Sequence, residues 1–147
     1  MKKILAVVLL VSLICLPAAY AEGISVNVNG EAVEFDVGPQ VIDGKIMIPM
    51  RFVLEKIGAS VSYDDETETI STYFSFFGRD PFIIIIQIGN EKAFSGSGEY
   101  QLETAPVLLS DRTLVPADFF EKALSAAAEW DKEGNNINIT IPAGGQE

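Results

Sequence analysis

GKIMIPMRFVLEKIGASVSYD, residues 44–64, decides how this chain is read, because DRTLVPADFFEKALSAAAEWD, residues 111–131, repeats its layout 67 positions later. Each stretch opens on a polar turn and runs through a short apolar strand to a proline. Each then continues with apolar residues at helical spacing and ends on an aromatic followed by an aspartate. Extended outward, Pro39 to Tyr73 aligns without a gap onto Pro106 to Thr140. Pro49 falls on Pro116, Phe52 on Phe119, Ala59 on Ala126, Asp64 on Asp131, Glu66 on Glu133 and Ile70 on Ile137, while Tyr63 meets Trp130 and Lys45 meets Arg112. Seven identities in 35 positions are weak alone, but shared turns and breakers at a fixed offset are the mark of an internal repeat.

The local chemistry of each copy predicts its elements. Ile24, Val26 and Val28 alternate with polar residues, Asn29-Gly30 supplies a turn, and Val33 and Phe35 resume the alternation, which reads as a hairpin. The corresponding hairpin of the second copy is Phe82 to Ile88, turned by Gly89-Asn90 and returning through Ala93-Phe94. Its first strand is apolar on both faces and is therefore expected in the middle of the structure. Gly96-Ser97-Gly98 reads as a flexible loop and lacks the spacing of a phosphate-binding glycine motif.

Asp43-Gly44-Lys45 and Ser110-Asp111-Arg112 are turns into short strands that end at the two prolines. A first helical turn needs no proline N–H, so Pro49 and Pro116 are expected to open helices. Met50, Val53, Leu54 and Ile57 form one helical face, and Gly58 stops it. The second helix is expected from about Ala117 through Leu124, with extension through the alanines 126–128 left open. A strand ending at Tyr63-Asp64 or Trp130-Asp131, a polar turn and a last strand (Thr69 to Phe74, Ile137 to Ile141) close each unit. The reading is α+β, predominantly antiparallel sheet with two short helices, as β-β-β-α-β-β twice.

These residues carry a family resemblance. Val-Asn-Gly-Glu beginning at Val28, followed by residues 44–64, resembles the copper amine oxidase N-terminal domain-like (stalk domain) family, whose pattern is an Asn-Gly turn, a Gly-Arg turn, Leu-Val-Pro-Leu-Arg, a short helix, Gly-Ala and Trp-Asp. The likeness covers nearly all of residues 24 to 141. Lys45 and Tyr63 depart mildly from it; Asp118 stands where Arg51 stands in the first copy, and Ser125 where Gly58 stands. The resemblance implies an accessory module of secreted and envelope-associated bacterial proteins, often beside cell-wall hydrolases or peptidases. It does not imply copper or amine oxidation, since the name denotes a stalk appended to some of those oxidases.

The N-terminus reads as a signal peptide over residues 1–21. Lys2 and Lys3 precede an apolar run from Ile4 to Leu16, and Ala19-Tyr20-Ala21 offers small residues for cleavage before Glu22. Pro17 ends the run short of the about 20 apolar residues a spanning helix needs. Cys15 leaves lipidation as an alternative, although Ile14 before it is larger than that processing wants. Residues 22–147 then form a single domain of two repeats, about 24–74 and 82–141, with no cysteine for disulfide or thiol chemistry. With 21 acidic residues against ten basic, two of them in the leader, the mature surface repels nucleic acid and anionic lipid. No membrane association is expected after cleavage.

Candidate chemistry is sparse. The chain has no His, which removes ordinary copper and zinc sites and Ser–His and Cys–His nucleophile systems. Asp64-Asp65-Glu66-Thr67-Glu68 and Asp131 to Asn136 could offer oxygens to a hard cation, but neither fits a calcium loop and both read as solvated turns. Arg51 is expected to pair with a local carboxylate such as Asp64, and Asn138-Ile139-Thr140, though a glycosylation pattern, lies in a predicted strand. Binding candidates are Tyr73, Phe74, Phe76, Phe77 and Arg79: alternate aromatics face opposite ways on a strand, so one set needs a cover or a ligand. The expected function is therefore a non-catalytic, exported binding or scaffold module without cofactor or metal, acting on wall polymer or an envelope protein. The alternative is a secreted carboxylate-dependent hydrolase or a regulator of one.

Overall fold

A computed structural model describes residues 23–75, 81–96 and 98–142. The leader, with the expected cleavage point between Ala21 and Glu22, lies outside the described residues. The chain runs through β1 (Ser25–Val28), β2 (Glu31–Ala32), β3 (Gln40–Ile42), β4 (Lys45–Pro49), α1 (Met50–Lys56), β5 (Ser60–Asp64) and β6 (Thr69–Phe74). It continues through β7 (Phe82–Gln87), β8 (Lys92–Ser95), β9 (Gly98–Gln101), β10 (Val107–Leu109), β11 (Arg112–Pro116), α2 (Asp118–Leu124), β12 (Ala127–Asp131) and β13 (Asn136–Thr140). The fold is α+β, mostly antiparallel sheet with two short helices.

Three sheets form, in the orders β12-β13-β1-β2, β10-β11-β4-β3 and β5-β6-β7-β8-β9. Each sheet draws strands from both halves of the chain. β4 pairs with β11 and β6 with β7, both antiparallel, whereas β1 lies parallel to β13 with Ser25 opposite Asn136 and Val28 opposite Ile139. Asn27 donates its side-chain amide to Asn138 across that parallel pair, at 3.1 Å. The sheets and both helices enclose one contiguous core that includes Val26, Val28, Ile48, Met50, Leu54, Phe74, Ile84, Val115, Phe119, Phe120 and Ile139.

Several expectations need correction. Among the described residues, six strands rather than five precede residue 75, β3 being the additional one, and β10 is additional in the second half. Both are three residues long, and Val41, Leu108 and Leu109 face solvent, so no apolar–polar alternation announces them. Gly98, expected in a flexible loop with Gly96 and Ser97, instead begins β9, which pairs with β8. Pro49 is the extended last residue of β4 (ψ 107°) and the N-cap of α1 rather than part of its first turn, and Pro116 likewise ends β11 before the N-cap Ala117.

The helix stops follow from backbone handedness. Gly58 adopts φ +89° beyond α1. Ser125, 67 positions on, is the C-cap of α2 and adopts φ +53°, so the alanines 126–128 do not extend that helix. Ala127 instead begins β12.

Candidate functional site

β7 is the central strand of the five-stranded sheet, as expected of so apolar a run, but only one of its faces is covered. The two-residue period turns Ile84 and Ile86 into the core with Ile70 and Phe74 of β6 and Ala93 of β8. The opposite parity points outward. Tyr73 pairs with Ile83 across β6 and β7, and Ile85 pairs with Phe94 across β7 and β8. These four side chains are 45, 49, 40 and 49% exposed respectively for Tyr73, Ile83, Ile85 and Phe94. The strand is thus central, as expected, yet its outer side is open to solvent.

Polar residues frame the strip. Ser60 lies beside Tyr73 and Ser62 beside Ser71 on one flank. On the other, Glu99 pairs in register with Phe94, and its carboxylate meets the Lys92 ammonium at 3.1 Å. An apolar row with a charged and hydroxyl-bearing border is the arrangement of a docking face.

The sequence candidates divide accordingly. Tyr73 belongs to the exposed row. Phe74 is fully buried, stacked on Phe82 with ring centroids 4.6 Å apart, and cannot meet a ligand without unfolding the sheet. Phe76, Phe77 and Arg79 lie outside the described residues. Ile83, Ile85 and Phe94 were missed, although the unbroken apolar run from residue 82 to 86 already carried the signal: a strand apolar on both parities has one face too many for a single core.

The other singled-out residues have structural roles. Asp64 Oδ1 accepts the N–H groups of Glu66 and Thr67 at 3.0 and 3.2 Å, and Asp131 Oδ1 those of Glu133 and Gly134 at 3.1 and 3.2 Å. Both carboxylates thus close turns. Phe119 is buried edge-on to Phe120, and Phe52 lies edge-on to Phe35. Tyr63 pairs with Ile70 as Trp130 pairs with Ile137. Arg51 meets Glu55 one helical turn away at 3.6 Å, not Asp64.

Among the described residues, two ion pairs cross between the halves. The Lys45 ammonium donates to Glu103 at 2.7 Å, and Arg112 forks onto Asp36, its Nε 3.1 Å from Oδ1. The Arg112 hydrogen bond holds the Asp36 carboxyl below the usual carboxylate range, and the Lys45 hydrogen bond does the same for Glu103. Deeper in, Asp118 Oδ2 accepts the Glu103 N–H at 2.9 Å and the Lys122 ammonium at 2.8 Å, while Oδ1 has no partner. The Tyr100 hydroxyl is likewise buried and unpaired, and burial, with Asp118 second, pushes its pKa well up.

Residues 27–139 match the family model described as the copper amine oxidase N-terminal domain. That is most of the chain, and the protein belongs to this family. It is also 28% identical over 107 residues to a protein called "Protease inhibitor" from Brevibacillus choshinensis, a match covering 70% of this chain and 30% of that relative. The chain thus spans under a third of the length of the relative it matches. The family name denotes the N-terminal, non-catalytic region of those oxidases. Copper itself does not fit the donors here: there is no imidazole, the one thiol is Cys15, and among the described residues no three His, Cys, Asp or Glu converge. No described helix is long and apolar enough to cross a membrane.

Proposed function

We propose that the protein is an exported, non-catalytic module of the bacterial cell envelope that docks a protein partner through the outer face of its five-stranded sheet. The row Tyr73, Ile83, Ile85 and Phe94 carries this reading. Such a row costs solubility in an isolated domain, and covering its exposed halves contributes about 1 kcal/mol per side chain. Two of the four are aliphatic, which suits a partner's apolar side chains better than sugar hydroxyls. The family match fits a non-catalytic module, and a relative named "Protease inhibitor" is compatible with a protein partner.

The leader-like residues 1–21 support export, with residues 22–147 acting as one folding unit. Residues 39–73 and 106–140 are read as one unit used twice. The constant offset of 67 supports this, as do the matched turns at Asp64 and Asp131. The unit does not extend to the first hairpin, because β1 runs parallel to β13 whereas β7 runs antiparallel to β6. A carboxylate-only hydrolase is disfavoured because Asp118, the buried carboxylate among the described residues, is neutralised by Lys122 rather than set against a second acid.

The test is site-specific photo-crosslinking in envelope fractions from a photoreactive residue at Ile85, with Val41 on another sheet as control. A discrete protein adduct from position 85, lost with Tyr73→Ser and Phe94→Ser, is the expected result. Equal labelling from both positions, or none from 85, would overturn the reading.

A further inference from the structure

Two clefts flank the β4–β11 pair, and they are built from matching positions. One, of about 150 Å³, is lined by Pro49, Arg51, Tyr63, Ile70 and Arg112, among others. The other, of about 290 Å³, is lined by the residues 67 positions away around the chain: Pro116, Asp118, Trp130, Ile137 and Lys45. The ion pairs at the two mouths match as well, since Lys45–Glu103 and Arg112–Asp36 differ by the same offset. Whatever the two clefts share is framework. What the larger one has alone are Asp118, in place of Arg51, and Glu121, whose counterpart Leu54 is buried in the core.

Both additions stand in the first turn of α2, and Asp118 pairs with Lys122 one turn on. Asp118 is only 8% exposed, and one of its carboxylate oxygens is unpaired. Its other oxygen holds the backbone of Glu103, which places the Glu103–Lys45 pair at the mouth. Trp130 adds an indole that is nearly half exposed, with the solvated Lys132 ammonium 5.6 Å over the ring.

The charges decide the ligand class. Lys45 and Lys122 offset Glu103 and Asp118, so the cleft carries little net field with which to capture an ion. An anion would meet Glu121, and a cation would find that single solvated carboxylate as its counter-charge, since Glu103 and Asp118 already hold lysines. What remains is a set of fixed hydrogen-bond acceptors and donors beside an aromatic face and the apolar Ile46, Ala128 and Ile137. A neutral pyranose ring presents hydroxyls at its rim and C–H groups on its faces, and so meets both. The volume suits one ring, at the small end of ligand sites.

We propose that this cleft is a subsite for a neutral sugar ring of a glycan, stacked on Trp130 and hydrogen-bonded by Glu121, Glu103 and Lys45. Asp118 is a positioning residue beneath it. The proposal uses a different face from the protein-docking row and stands or falls separately.

Trp130 is the chain's one tryptophan, so its fluorescence reports the cleft directly. The probes are cellotetraose and chitotetraose, with n-butylammonium as the cationic comparison. A saturable change in Trp130 emission with either sugar is expected, weakened about tenfold in Glu121→Gln and kept in Tyr63→Ala. Trp130→Ala, read by saturation-transfer NMR of the sugar, should abolish contact; all three altered side chains are exposed, and circular dichroism checks that the variants fold. The proposal is overturned by three results: no saturable response to either sugar, a response that survives Glu121→Gln unweakened, or tighter binding of n-butylammonium than of both sugars.

Discussion

Ile48 of β4 lies directly across from Val115 of β11, with Pro49 opposite Leu114 and Met47 opposite Pro116. Ile48 and Val115 are 67 residues apart, so the register is symmetric about this pair: each strand meets the other at its own corresponding position. Both residues are fully buried. The contact is therefore at once the centre of one sheet and a seam between the two halves of the chain.

Because β1, β4 and β6 each take a partner from the second half, neither half closes its own core. Expressed alone, residues 23–75 should show no cooperative melt by circular dichroism and should aggregate on gel filtration. Losing those partners exposes several core side chains at about 25 cal/mol per Å², more than a small domain's net stability. A monomeric fragment with a cooperative melt would mean two separate domains.

Ser125→Gly should raise stability by about 1 kcal/mol, since a side chain at left-handed φ carries that order of cost. Gly58→Ala should lower it by a similar amount, although nothing lies within 4 Å of the added methyl. Urea titrations of both variants check the opposite signs.

Tyr100→Phe removes a buried hydroxyl without a partner and should leave the protein equally stable or more stable at neutral pH. The folded Tyr100 pKa lies above its ordinary value of 10.0, so the folded state resists ionisation that the unfolded chain accepts. Its contribution is whole below pH 10 and drains away as pH rises beyond. Thermal melts from pH 8 to 11 should fall less steeply in Tyr100→Phe than in the parent.

Asp36 and Glu103 shift the other way. Their folded pKa values lie below the ordinary 3.8 and 4.5, so their stabilisation is present above those values and lost as pH falls through the depressed folded ones. Between pH 7 and 3 the parent should lose more in Tm than the Lys45→Ala, Arg112→Ala double variant. High salt should narrow that difference, because both pairs are solvent-exposed.

Neighbours on β7 should respond oppositely to truncation. Ile84→Ala should cost about 2–5 kcal/mol and Ile85→Ser little, within about 0.5 kcal/mol, as urea melts would show. Equal costs would mean that the outer face is covered within the molecule.

The parts of the fold written as strong periodicity or punctuation were legible. Asn29-Gly30 and Asp43-Gly44 turn where expected, all four at positive φ, and the stretches 44–64 and 111–131 each give strand, helix and strand. What was hidden depended on pairing rather than pattern. β3 and β10 exist because β4 and β11 offer them hydrogen bonds, while their apolar side chains face water. The site was half legible: Tyr73 could be found, but which aromatics faced inward required the register of β6 on β7. The cleft around Trp130 was invisible because Glu103, Asp118 and Trp130 meet only after the chain folds.

The parallel pairing of β1 and β13 also sets how the module carries load. The chain enters at Ser25, beside Asn136, and leaves past Thr140, beyond the level of Val28, so the flanking segments depart from opposite ends of one strand pair. Tension applied through them pulls the two strands lengthwise past each other. The backbone bonds from Ser25 to Asn135 and from Asn29 to Ile139, and the Asn27–Asn138 amide clip, are then strained together rather than unzipped in turn. Strung in series with other segments, the domain is geometrically a tensile link.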